Sequence, residues 1–147
     1  MRSNATLLPA FVAMLAAAIL SQASALIIMA QNDDTGKLIR AKCQPESGVS
    51  TDLIEGVKQG NLPDDKNLKC YMKCAMTMTM TMREDKLRTD IAKILVERSM
   101  SDPNKSRVLA AIDKCQNVGQ GMSDPCDIAY AATKCIHDAD PEVLLFP

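Results

Sequence analysis

Six cysteines, Cys43, Cys70, Cys74, Cys115, Cys126 and Cys135, set the tightest limits on how this chain of 147 residues can fold. A single histidine accompanies them, which argues against zinc catalysis and histidine-dependent triads and for disulfides in an oxidising compartment. Six cysteines allow fifteen pairings, and helix geometry removes some. Cys70 and Cys74 stand at i and i+4, with Cβ atoms about 5–6 Å apart on one helix face, beyond the ~3.8 Å a disulfide prefers. Cys126 and Cys135 fall on opposite sides of one helix, roughly 13 Å apart along its axis. Excluding both self-pairings leaves ten arrangements, and all of them tie different helices together.

An oxidising compartment requires export, and the start of the chain reads as an export signal. Met1-Arg2 supplies a positive start, 7–20 is an almost unbroken apolar run, and Ala23-Ser24-Ala25 is a small-x-small site of the kind signal peptidase accepts. Cleavage is expected after Ala25, or after Ala30, where Gln31-Asn32-Asp33-Asp34 turns the composition polar. The competing reading is an uncut signal anchor, since 7–30 is long enough to span, but Ser21, Gln22 and Ser24 interrupt it. No later stretch approaches the ~18 apolar residues a span needs, so no stable membrane insertion is expected. The expected organisation is a secretory signal peptide over 1–30 and one helical domain over 31–147, secreted and extracellular.

The balance of 17 Lys+Arg against 18 Asp+Glu gives a formal net charge of −1 and no basic field for nucleic acid. A hydrophobic fraction of 47% is enough for a folded core. The punctuation reads as short helices. Ser50-Thr51-Asp52 starts one whose stripe is Leu53, Ile54 and Val57, with Gly60 as its stop. Residues 61–65 form a turn before a helix carrying Leu68, Tyr71, Cys74, Ala75 and Met78. Ile91, Ile94, Leu95 and Val96 mark another. Asp102-Pro103 and Asp124-Pro125 each place a capping acid before a proline suited to a first helical position. The last helix should end before Pro141. Met and Thr alternate strictly from Met76 to Met82. With no partner strand in view, that segment is read as a helix end running into a loop.

The cysteine spacing, with 26, 3, 40, 10 and 8 residues between successive cysteines, resembles that of the insect odorant-binding proteins (pheromone-binding and general odorant-binding proteins). Leu68-Lys69-Cys70-Tyr71-Met72-Lys73-Cys74, Ser123-Asp124-Pro125-Cys126-Asp127-Ile128-Ala129-Tyr130 and Ala139-Asp140-Pro141-Glu142 are similar to that family's flanks. The resemblance covers essentially all of 31–147. It implies an all-α fold, about six short helices around an internal hydrophobic cavity, held by three interlocked disulfides, Cys43–Cys74, Cys70–Cys126 and Cys115–Cys135. One departure is the turn at 82–87, which carries no glycine where the family usually has one.

Apolar stripes at helical spacing ordinarily mean core; the resemblance turns their inward faces into cavity lining. On that basis the ligand-lining candidates are Ile54 and Val57, then Met76, Met78 and Met82. Ile91 and Leu95, Val108 and Ile112, and Ile128, Ala132 and Ile136 follow from the later helices. The tail residues Leu144, Leu145 and Phe146 complete the set, folded back over the cavity mouth as related proteins fold their C-terminus. Flexible thioethers suit ligands of several shapes. Only Tyr71, Tyr130 and Phe146 are aromatic after the leader, which favours aliphatic over flat ligands. His137, the one side chain whose ordinary pKa lies between pH 5 and 8, is the pH-switch candidate.

The implied function is a secreted, non-enzymatic carrier of small hydrophobic molecules, odorants or pheromones. The alternative is a secreted protein–protein ligand or inhibitor with a closed core. No nucleophile, base or metal set converges, so no catalytic residue, metal or cofactor is expected. The expected partner is a small hydrophobic ligand, with an olfactory receptor as a further one and the chain as monomer or homodimer.

Overall fold

The structure, a computed structural model, describes residues 34–143. The expected signal peptide and the tail residues Leu144, Leu145 and Phe146 lie outside the described residues. The chain divides into two compact units, Met1–Lys37 and Leu38–Pro147. Of the first, residues 34–37 are described; they are helical, with Lys37 Nζ 3.6 Å from Asp34 Oδ1.

The second unit is all-α, with six α-helices among the described residues. Helix α1 takes residues 38–47, α2 Thr51–Lys58, α3 Lys66–Met78 and α4 Thr89–Ser99. Helices α5, Asn104–Lys114, and α6, Pro125–Ala139, follow, and a 3-10 turn at Pro141–Val143 comes after α6.

Local chemistry sets these boundaries. Ser50 caps α2 by accepting from the Leu53 N–H, and Gly60 stops the chain beyond it at φ +81°. Asp65 caps α3 by accepting from the Leu68 N–H at 2.8 Å. Asp124 caps α6 with Pro125 in the first turn. At Asp102-Pro103 the expected start shifts: α5 begins at Asn104, because Asp102 Oδ1 accepts the Ser106 N–H at 3.2 Å rather than an earlier amide.

The Met-Thr segment also differs from the expected loop. Met82–Arg83 (β1) pairs antiparallel with Lys86–Leu87 (β2), Met82 opposite Leu87. The partner strand is made by a two-residue turn in which Glu84 and Asp85 sit at φ 51° and 58°, the left-handed pair a tight hairpin needs. Sequence alternation alone does not reveal such a partner.

Three disulfides interlock the helices. Cys43–Cys74 ties α1 to α3, Cys70–Cys126 ties α3 to α6, and Cys115–Cys135 ties the end of α5 to α6. Beside the second, Lys69 Nζ bridges Asp64 and Asp127 at 2.5 and 2.9 Å and lies 5.1 Å from the Tyr130 ring centre. The Tyr130 hydroxyl donates to the Leu62 carbonyl at 2.7 Å.

The buried side chains form two clusters. The larger joins α1, α2, α3 and the first half of α6, with Tyr71, Ile54, Leu68 and Met72 at its centre. The smaller joins α4, α5 and the 3-10 turn through Val96, Val108, Ala111, Ile112 and Val143. That split positions the site.

Candidate functional site

An apolar cavity of about 310 Å³ occupies the gap between the two clusters. Ile39 and Ala75 bound it from the larger cluster, and Val96, Val108, Ile112 and Val143 from the smaller. Helix α4, capped by Arg88 at the wall, presents one face along Ala92, Leu95, Val96 and Ser99, a three- and four-residue stripe. Helix α6 contributes Ala132, Thr133 and Ile136. Alanines at 75, 92 and 132 leave unfilled the space that larger side chains would close.

Six of the sequence-predicted lining residues meet here: Met76, Leu95, Val108, Ile112, Ala132 and Ile136. Ile54, Val57, Met82 and Ile128 do not line the cavity; they are buried within the larger cluster. Ile91 is half-buried outside the cavity wall. Met78 is 39% exposed, its Sδ 3.5 Å from Cys43 Sγ. It borders a separate hollow with Lys42, Glu46 and Lys73. Sequence reasoning missed Ala92 and Val96, and with them Thr79 and Thr81. Ala92 stands three residues before Leu95 and four before Val96, a helical spacing that could have revealed the stripe.

Arg88, Ser99 and Thr133 in the wall find partners within the chain, and no buried side-chain nitrogen or oxygen among the described residues lacks a partner. Arg88 engages Asp90 through Nε at 3.0 Å and Nη2 at 2.6 Å. Thr133 donates to the Ala129 carbonyl at 2.9 Å, and Ser99 to the Leu95 carbonyl at 2.7 Å. Among the described residues, no group of three His, Cys, Asp or Glu side chains is placed to hold a metal ion.

One wall is clamped from behind. Arg107 on α5 holds Asp140 through two bonds of 2.8 and 2.6 Å and reaches Glu142 at 2.8 Å. The clamp sets the 3-10 turn in which Val143, 4% exposed, faces the cavity. The Arg107 guanidinium holds the Asp140 carboxyl below the usual carboxylate range. A depressed carboxylate stabilises the fold fully above its unfolded value of about 3.9, and the contribution is lost as pH falls through the lowered folded value. Wild type is therefore expected to melt above Asp140→Asn by a constant margin from pH 7 to pH 5. The margin should shrink only below about pH 4. A margin that disappears between pH 7 and pH 5 would contradict the clamp.

His137 stands elsewhere on α6. A Cβ placed on Gly60 would lie 2.8 Å from its Nε2, and its Nδ1 is 3.7 Å from Asp138 Oδ1. It packs under the turn after α2 and is not part of the cavity wall.

A small all-helical unit tied by interlocked disulfides around an apolar hollow has the architecture of a small-ligand-binding protein. Comparison with known proteins gives the family. The PBP/GOBP family model matches residues 27–139, and the chain belongs to that family. General odorant-binding protein 72 of Anopheles gambiae is 26% identical over 121 residues, covering 82% of this chain and 99% of its own. General odorant-binding protein 19a of Drosophila melanogaster is 25% identical over 129 residues, covering 86% and 88%. Among solved structures, odorant binding protein 5 of Apis mellifera superposes with a TM-score of 0.73 at 24% identity, covering 80% of this chain and 95% of its own. Odorant binding protein 4 of Chrysopa pallens gives 0.71 at 26%, covering 80% and 97%.

Proposed function

We propose that the protein is a secreted, non-enzymatic carrier that takes small hydrophobic molecules of odorant size into the cavity between α4, α5 and α6. The observation that carries this reading is the hollow itself: apolar side chains line a space that ordinary core packing would have filled. Its relatives' names, general odorant-binding proteins, point the same way. The same hollow argues against a secreted inhibitor with a closed core. Export rests on residues 1–30 acting as a signal peptide, with 31–147 as the mature domain. No helix among the described residues is long and apolar enough to cross a membrane.

Size narrows the ligand. At about 30 Å³ per water- or methylene-sized group, the cavity of about 310 Å³ holds on the order of ten such groups. That suits a medium aliphatic chain, and the described wall contains no aromatic side chain on which a flat ring could stack. Burial of roughly 200 Å² of apolar surface gives about 5 kcal/mol before ordering costs. That gain alone corresponds to a dissociation constant of about 0.2 mM, which ordering costs weaken further.

Titration calorimetry with 1-nonanol, nonanal and 1-methoxyoctane tests the reading. Saturable binding at one site per chain is expected for at least one of them. A folded protein that binds none of the three would refute the carrier role.

A further inference from the structure

Met78, expected at the cavity wall, stands instead at a second hollow of about 310 Å³ where α1, α3 and the start of α6 meet. Two of the three disulfides reach its wall. Cys70 and Cys126 contribute both halves of one bridge, and Cys74 contributes one half of the bridge to Cys43. Together with Met78 they surround one space with sulfur. Because these bridges tie three helices together, the wall is set before anything enters it, and a ligand is spared the cost of ordering it.

The charges around this space do not cancel. Lys42 is paired with Glu46, whose second carboxylate oxygen lies 3.4 Å from Cys74 Sγ. The Lys73 ammonium has no hydrogen-bond or ion-pair partner among the described residues. Ser47 and Thr77 spend their hydroxyl protons on the carbonyls of Cys43 and Lys73, both at 2.8 Å. Two cations against one carboxylate leave the hollow with a positive charge, and the donor that remains to be used is Lys73.

We propose that this hollow is a second binding site, for a small aromatic carboxylate whose ring lies on the sulfurs and whose carboxylate meets Lys73. The proposal goes beyond the carrier reading and does not depend on it. The unpaired ammonium selects an anion, since a charge-assisted hydrogen bond is stronger than a neutral one. Sulfur makes favourable contacts with aromatic rings, so the wall prefers a ring to an alkyl chain of equal size. At about 30 Å³ per group the space holds on the order of ten groups, the size of phenylacetate. The cavity between the two clusters has no such sulfur-rich face and suits aliphatic chains. The two hollows thus take different chemical classes.

Phenylacetate and octanoate isolate the ring, because they share charge and number of non-hydrogen atoms. NMR on protein labelled at the methionine methyls is expected to show a saturable shift of the Met78 methyl as phenylacetate is added into the millimolar range. Octanoate should bind at that methyl about threefold more weakly. Lys73→Glu should weaken phenylacetate about fivefold, and Lys73→Arg, which keeps the charge, should bind like the wild type. Lys73→Gln should weaken it about threefold and serves if charge reversal is not tolerated by the fold. The Met76 methyl, at the wall of the first cavity, reports on the competing location. A Met78 methyl that does not move, or shifts confined to Met76, would overturn the site. Octanoate binding as tightly as phenylacetate at Met78, or affinity unchanged in both Lys73→Glu and Lys73→Gln, would overturn it equally. Each of these results leaves the carrier role standing.

Discussion

Ala132→Phe is expected to weaken 1-nonanol binding by at least thirtyfold, about 2 kcal/mol, while the protein stays folded. Ala132 is 5% exposed and faces the hollow from α6. A phenyl ring there fills space that the ligand would take. Because the space is empty, the ring gains apolar burial with little of the strain that overpacking brings. Ala129, one turn earlier on α6 and fully buried in the larger cluster, provides the contrast. Ala129→Phe enters a filled core and should destabilise by about 1–3 kcal/mol or more. Melting curves and calorimetry on the two variants separate a hollow from a packed core. Equal destabilisation by both, with nonanol binding retained in Ala132→Phe, would contradict the arrangement.

The second large effect is on stability. Cys70→Ser/Cys126→Ser removes the bridge that spans 56 residues, which constrains the unfolded chain by about 4 kcal/mol. A domain of this size should then melt roughly 15 °C lower, at about 4 °C per kcal/mol. The remaining ties nearby include the Lys69–Asp127 pair between α3 and α6 and the Tyr130 hydroxyl bond to Leu62 in the turn before α3. A partly solvated ion pair and one hydrogen bond contribute much less than the bridge. Removing Cys115–Cys135, whose span is 20 residues, should cost slightly less, about 3 kcal/mol. It should cost more in binding, because Cys115 lines the cavity and Cys70 and Cys126 do not. Non-reducing melts and nonanol titrations below the melting range give both rankings.

The helical class of the fold was legible because its signals are local or nearly so. Asp124-Pro125 caps and starts α6, and Ser50 caps α2, by chemistry visible in a few residues. The hairpin at 82–87 was not legible, since Glu84 and Asp85 adopt the left-handed turn without a glycine to announce it. The cavity was only half legible for a related reason. Periodicity shows which face of a helix is buried and says nothing about whether that face meets a packed neighbour or a gap. Ile54, Val57 and Ile128 carry the same pattern as Val108, Ile112 and Ile136, yet the first three fill the larger cluster and the others face the hollow. The distinction depends on how two clusters fail to meet, and small residues such as Ala75 and Ala92 decide it. Arg107 was equally silent, because its partners Asp140 and Glu142 lie across the fold from α5.

The central claim, that a ligand occupies the gap between the two clusters, is tested most directly by isotope-edited NMR on the methyl-labelled protein saturated with 1-nonanol. Nuclear Overhauser effects from the alkyl chain are expected to the methyls of Leu95, Val96, Val108 and Ile112, and none to those of Ile54, Val57 or Ile128. Contacts to Ile54, Val57 and Ile128 in place of the first group would contradict it.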